Sequence, residues 1–197
     1  MLNIQYKPSA DASSPPWIVE RLSTSIGTLA VLSSARGLLA IDFDGHAETI
    51  VERAQRRLGV QAQVIKGKTK EAAQLVEYFA GTREHFDLDI DLSGLPQFQQ
   101  AVLTALCQVT TGCTVTYASL ARAIGKPKAA RAVGNALGRN PIPVVVPCHR
   151  VLQGTGALGG FTGGLHRKIA LLKLEHPDPT KLPLRTQLAL RGAVDGN

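Results

Sequence analysis

Not one carboxylate lies between residues 92 and 174, although that stretch carries nine bases: Arg122, Lys126, Lys128, Arg131, Arg139, Arg150, Arg167, Lys168 and Lys173. The flanks are close to balance, with ten basic against twelve acidic residues over 1–91 and three against three from Glu175 onward, so the net charge of +7 sits in one block. Mixed charge would serve solubility equally well. An acid-free block interrupted by apolar helical spacing points instead to a folded domain facing a polyanion, with nucleic acid the first candidate. Cysteine is also scarce: Cys107, Cys113 and Cys148 form neither a CxxC pair nor an even set, which argues against a disulfide framework and predicts reduced thiols. The five histidines, His46, His85, His149, His166 and His176, are too scattered for a structural zinc site, and none is expected. No run approaches the roughly 18 apolar residues of a membrane span. The opening MLNIQYKPSADASSPPW lacks an apolar core behind a basic start, so the expectation is a cytoplasmic protein, nuclear if the source is eukaryotic, without a membrane partner. With 197 residues and 44% hydrophobic composition, the chain can build one sizeable core or two small ones.

Turn signals divide residues 1–92 into short alternating elements. TLAVLS and GLLAIDF are apolar runs joined by SARG, which reads as a hairpin. HAETIVERAQRRLG has helical spacing, VQAQVIK alternates, and TKEAAQLVEYFAG is an amphipathic helix that ends at Gly81. FDLDIDLS alternates apolar and acidic residues as an edge strand does, and SGLPQ marks a boundary. The expectation over 1–92 is an α/β domain, a small sheet flanked by helices.

Residues 93–177 read as mainly helical. QFQQAVLTALCQV sets Cys107 beside the stripe Phe98, Val102, Leu103, Leu106 and Val109, which predicts a core thiol. YASLARAIG and KPKAARAVGNALGRN, joined at Gly125 to Pro127, have the outline of a helix-turn-helix. Any helical hairpin in a bundle looks the same, and the acid-free background favours the DNA-binding version. Ala129, Ala130, Ala132, Gly134 and Ala136 would let the second helix approach a groove closely, with Arg131 as its long probe; packing against another helix accounts for the small residues equally. Residues 178–197 show no periodic core and read as a peripheral tail.

The stretch VVVPCHRV delivers Cys148 from an apolar, strand-like run directly into His149 and Arg150. A thiol becomes a nucleophile when a cation, a helix N-terminus or a base favours its thiolate. Neighbours on a regular strand face opposite sides, so His149 reaches Cys148 only if the chain turns there or a water bridges the two. Pro147 suits such a turn. An imidazole base also needs an orienting partner on its second nitrogen, commonly a carboxylate, and the first one after Asp91 is Glu175. An inert buried thiol is the alternative. Cys113, in TTGCTVTY, has no adjacent cation.

VVVPCHRV, preceded by KAARAVGNALGRNPIP and followed by GGFTGGLHRKIALLKLE, resembles the O6-alkylguanine-DNA alkyltransferases, which repair DNA by direct reversal. The match runs from Phe98 to Glu175, and the first ninety residues match in layout only. The resemblance implies a ribonuclease H-like N-terminal domain over 1–92, a helical DNA-binding and active-site domain over 93–177, and a tail over 178–197. It further implies that Cys148 accepts the alkyl group, activated through water by His149, with Glu175 orienting the imidazole. Asn140 would tie the recognition helix to the active site, and Tyr117 would guide the target phosphate and donate a proton to the leaving base. Arg131 would take the place of the extruded nucleotide, with Thr116, Lys126, Lys128, Ala129, Ala130 and Gly134 against the DNA. Pro143, Val151, Phe161 and Thr162 would wall the pocket, main-chain groups near Cys148, Val151 and Thr162 reading the guanine edge. Phe161 and Thr162 stand where some relatives have tyrosine and serine, which bears on pocket width. The implied function is single-turnover transfer from O6-alkylguanine, with O4-alkylthymine as a further substrate, in double-stranded DNA, with no cofactor or metal needed. A monomer is expected, cooperative assembly on DNA being left open.

Three rivals remain in view. A cysteine hydrolase would use similar residues but would turn over and has no need of the charge block. A lesion-binding relative without repair activity would lack the cysteine, and a zinc-sensing version would need cysteines in the N-terminal part, which has none.

Overall fold

The computed structural model describes residues 2–6, 15–176 and 178–192. These fall into two compact units, one reaching Gln100 and including Pro141–Pro143, the other made of Ala101–Asn140 and the residues from Val144 on. No helix among the described residues is long and apolar enough to cross a membrane.

The first unit is a mixed sheet with helices. Its strands are β1 (Asn3–Gln5), β2 (Trp17–Thr24), β3 (Gly27–Ser34), β4 (Gly37–Asp42), β5 (Val64–Lys66) and β6 (Asp89–Asp91), in the order β1-β6-β4-β3-β2-β5. The SARG hairpin joins β3 to β4 as expected, and β2–β3 is a second antiparallel pair; β1–β6, β4–β6 and β2–β5 are parallel. Helix α1 (Ala47–Leu58) lays Ile50 and Ala54 on Trp17, Val19, Ala30, Leu32 and Leu39. Each such side chain contributes about 1.5–3 kcal/mol when fully buried. Leu29 and Val31, alternating with Ala30 and Leu32, are buried too, so β3 is covered on both faces, and α2 (Lys70–Phe79) packs on β2 and β3. Thr69 caps α2 by accepting from the Ala72 amide.

Two elements depart from the sequence reading. FDLDIDLS is not an edge strand: β6 lies between β1 and β4, because Asn3–Gln5 pairs along its open side. Its acidic residue Asp91 tolerates burial by accepting from Arg36 Nε at 2.9 Å and from the Ser93 amide at 2.8 Å. Strand β2, WIVERLST, carries Glu20 and Arg21, which obscure its alternation. Glu20 is nonetheless buried, held by Lys68 and by the Thr69 amide.

The second unit is helical: α3 (Gln97–Leu106), which starts in the first unit, α4 (Tyr117–Ala123), α5 (Ala130–Leu137), α6 (Leu165–Glu175) and α7 (Leu184–Gly192). Thr116 and Ser119 form a capping box on α4, and the turn through Gly125 leads to α5, giving the helix-turn-helix outline. A two-residue parallel pair, β7 (Val115–Thr116) with β8 (Val151–Leu152), ties the start of α4 to the segment following Cys148. The run PIPVVVP is not a strand, since three prolines remove the donors a ladder needs. Residues 178–192, read as a tail without a core, instead form a short 3-10 turn and α7. Leu182, Thr186 and Leu190, spaced four apart, are buried along one line.

The tightest backbone approach in the sheet is at Gly37, with φ +115°, where a Cβ would lie 2.2 Å from the Asp89 carbonyl oxygen of β6. Gly37→Ala is expected to destabilise the chain by about 2–4 kcal/mol through positive-φ strain and separation of β4 from β6, read from the urea midpoint at unchanged m-value.

Candidate active site

The chain arrives at Cys148 through a strained approach. Val144, a β-branched residue, holds φ 75°, a left-handed conformation that such residues adopt only where the surroundings enforce it. Pro147 then centres a tight turn with φ −83° and ψ 64°, closed by the Cys148 amide donating to the Val146 carbonyl at 2.8 Å. Cys148, His149 and Arg150 follow as one turn of 3-10 helix, all buried. The chain therefore does turn at Pro147, which aims three consecutive side chains in different directions.

Cys148 lines a pocket of about 400 Å3 together with Tyr117, Gly134, Leu137, Gly138, Gly160, Phe161 and Thr162. Asn140, just past α5, donates from Nδ2 to the Val146 carbonyl at 2.9 Å and to Cys148 Sγ at 3.3 Å, linking the end of α5 to the thiol. Burial pushes the Cys148 thiol up, while the Asn140 hydrogen bond and the Lys168 charge pull it back in part. The resting sulfur is thus a neutral thiol.

His149 is fully buried and its Nε2 lies 2.9 Å from Glu175 Oε1. Arg150 approaches the same carboxylate from the other side, donating from Nε to Oε2 at 2.8 Å and from Nη2 to Oε1 at 2.7 Å; it also donates to the Val109 carbonyl and, at 3.0 Å, to Thr111 Oγ1. Burial alone would raise the Glu175 carboxyl, but His149 and Arg150 outweigh it and hold the group well below the usual carboxylate range. An ionised carboxylate only accepts, so the imidazole proton resides on Nε2 and the Nδ1 lone pair is left free as a base. Nδ1 is buried and has no protein partner among the described residues. Burial keeps the imidazole itself neutral, its pKa below the ordinary value despite the carboxylate.

Arg150 is thus spent on Glu175, and the cation that acts on the sulfur is Lys168, which sequence reasoning missed. Lys168 is 0% exposed and donates from Nζ to the Val151 carbonyl at 2.6 Å and to the Leu158 carbonyl. Burial lowers its pKa to about 8. A signal was available: Lys168, Leu171, Leu172 and Glu175 share one face of α6 at spacings of three, four and seven, so a base and an acid both sit on the apolar stripe.

The remaining candidates separate by location. Phe161 and Thr162 line the pocket, Thr162 Oγ1 donating to the Gly138 carbonyl at 2.9 Å, whereas Pro143 and Val151 are buried and do not line it. Val151 is instead paired with Val115. Arg131 is exposed on α5, Lys126 and Lys128 are exposed in the turn, and Ala129 and Ala130 are half-buried at the start of α5. Gly134 faces the Tyr117 ring, and the Thr116 hydroxyl is occupied in its capping box. Burial and the nearby Cys148 raise the Tyr117 phenol, keeping it protonated. Cys107 is pushed up to about 12 by burial and is half-buried, and Cys113 is exposed, accepting from Thr110 Oγ1 at 3.4 Å. Among the described residues no three His, Cys, Asp or Glu side chains cluster as metal ligands would.

Glu175→Gln leaves Arg150 buried without its anion, and a stability loss of about 3–5 kcal/mol is expected, much of it recovered in the double variant with Arg150→Met. A depressed carboxyl stabilises above its unfolded value of 4.5 and loses that contribution as pH falls through the folded one. The parent should therefore lose stability below about pH 5, more steeply than the double variant, in urea titrations at stepped pH.

The 6-O-methylguanine DNA methyltransferase DNA-binding domain matches residues 97–177, and the ribonuclease-like domain of the same proteins matches 19–92. A methylated-DNA–protein-cysteine methyltransferase of Methanosarcina barkeri is 41% identical over 157 residues, covering 78% of this chain and 94% of the relative. A namesake from Mycobacterium bovis is 52% identical over 102 residues, 52% of this chain and 61% of its own length. Among solved structures, O6-methylguanine methyltransferase of Mycobacterium tuberculosis superposes with a TM-score of 0.69 at 34% identity, covering 88% of this chain and 99% of that one. The enzyme of that organism in complex with DNA gives 0.69 at 32% identity, covering 87% and 99%. With both domains matched and a relative 41% identical over most of both chains, the chain belongs to the methylated-DNA–protein-cysteine methyltransferase family.

Proposed function

We propose that this chain repairs double-stranded DNA by accepting the alkyl group of O6-alkylguanine on Cys148. The observation that carries this reading is a pocket-lining thiol whose neighbour, His149, offers an unpartnered Nδ1 while Glu175 holds its Nε2 proton. The alkyl carbon of a stacked base is shielded from in-line attack, so the nucleotide has to leave the helix, at a cost of a few kcal/mol. Exposed Lys126 and Lys128 contact phosphates without regard to sequence, and Arg131, projecting from α5, fills the place the nucleotide vacates.

With the base in the pocket, the Cys148 sulfur attacks the alkyl carbon; the S–C bond forms as the C–O6 bond breaks. The thiol proton passes through water to His149 Nδ1, and the imidazolium is stabilised by the buried carboxylate behind it. The departing guanine takes a proton from Tyr117, whose raised pKa keeps it available as a donor. The tyrosinate left at Tyr117 is reprotonated through water from the His149 imidazolium, so both side chains end neutral and the net transfer is one proton from the thiol to guanine. The product is a thioether with no acyl carbon for water to attack, so each chain acts once.

Incubation with a duplex carrying one O6-methylguanine is expected to add one methyl in place of hydrogen on Cys148, at one equivalent per chain, by intact mass and peptide mapping. Label on Cys107 or Cys113, or no label at all, would sink the reading. Cys148→Ser should lose transfer while keeping DNA binding. Arg131→Ala should slow transfer about 10-fold or more, equivalent to about 1.4 kcal/mol lost from flipping, in single-turnover kinetics.

A further inference from the structure

One wall of the pocket comes from Gly160, Phe161 and Thr162, at the end of the loop 153–160. That loop is a compact turn, with the Gln153 amide donating to the Ala157 carbonyl and the Gly156 amide to the Gln153 carbonyl, both at 2.9 Å. It presses directly on the active-site tyrosine: at Gly159, φ +69°, a Cβ would lie 2.8 Å from the Tyr117 hydroxyl. Any shift of the loop therefore alters the space that Tyr117 and Phe161 leave between them.

The loop is held from two sides. Lys168 of α6 takes the Leu158 carbonyl. On the other side stands α7, which lies outside residues 97–177 where the family's DNA-binding domain matches. Thr186 Oγ1, fully buried, donates to the Gly156 carbonyl at 2.6 Å. Pro183, at the entry to α7, sits so close that a Cβ on Gly156 would come 2.8 Å from its side chain. Leu158 of the loop is buried in one cluster with Leu182 and Leu190, completed by Leu152 and Leu172. A polar anchor and an apolar seat on the same short loop are thus supplied by a segment beyond the matched domain.

We propose that α7 is a specificity-determining brace: through Thr186, Leu182 and Leu190 it fixes the 153–160 loop and thereby limits the size of alkyl group that reaches Cys148. This rests on the proposed alkyl transfer. Thr186 and Leu190 touch no reacting atom, and both are positioning residues. Loosening the brace lets the Phe161 wall retreat, which admits bulky groups and places small ones less well.

The test uses the full chain with Thr186→Val, which keeps shape and removes the donor, and Leu190→Ala, which opens the apolar seat. Labelling of Cys148 is followed by intact mass on duplexes carrying O6-methylguanine or O6-benzylguanine, and amide hydrogen exchange is read over 153–160. Displacement of a catalytic wall by about 1 Å can change rates up to about 10²-fold, so the benzyl-to-methyl rate ratio should rise at least about threefold in each variant. Exchange over 153–160 should accelerate while that of α4 and α5 stays at the parent level. An unchanged ratio in both variants overturns the specificity role even if exchange accelerates, and unchanged exchange overturns the brace itself. Exchange needs no chemistry, so a parent chain that fails to take up methyl tells against the proposed transfer and not against the brace.

Discussion

A single buried carboxylate organises the active half of this molecule. Glu175, at the end of α6, receives His149 on one oxygen and Arg150 on both, and Arg150 continues to Val109 and Thr111 beyond α3. Through Arg150, the turn at 148–150 and the 109–111 segment are thus both tied to the end of α6. Taking an arginine and a glutamate out of water is costly, and an apolar set of similar volume could stabilise as well. The pair also accomplishes what an apolar set would not: it keeps the carboxylate ionised, which assigns the imidazole proton to Nε2 and leaves the Nδ1 lone pair free. Geometry and protonation state are set by the same contact.

The Cys148 thiol is kept neutral by the opposite effect. Cys148 is buried enough that its thiol stays protonated, and the groups that favour its thiolate, Asn140 and Lys168, act only as partial compensation. The thiol and the imidazole are thus both neutral at rest in the interior. The basic block divides along the same line. Arg150 and Lys168 are interior, one on Glu175 and the other on two backbone carbonyls, while Arg122, Lys126, Lys128, Arg131 and Arg139 are exposed. The charge excess thus serves two ends, an outward field for a polyanion and an inward set of fixed donors.

How much of this was legible in the chain follows from the range of the interactions involved. The SARG hairpin, α1, α2 and the helix-turn-helix are each declared by local periodicity and turn residues. The edge assignment of FDLDIDLS failed because a strand's neighbours are a nonlocal matter: Asn3–Gln5, more than eighty residues away, covers its open side. The tail reading failed for a similar reason. Leu182, Thr186 and Leu190 form too sparse a stripe to declare a core by themselves, and gain meaning only against Leu152, Leu158 and Leu172.

At the site, several of the residues that the structure brings together stand out in the chain alone: a cysteine followed by histidine, a proline able to turn the chain before it, and one carboxylate after a long acid-free stretch. The side-chain types limit which proton transfers and which bonds are available, and that is a local property. Only the tertiary structure decided the directions. Arg150 turned toward Glu175, Lys168 was buried against the Val151 and Leu158 carbonyls, and Val151 was paired with Val115. Those outcomes depend on which buried group finds its partner within hydrogen-bond distance, a question that burial and packing across the whole domain settle, and that spacing along one chain does not encode.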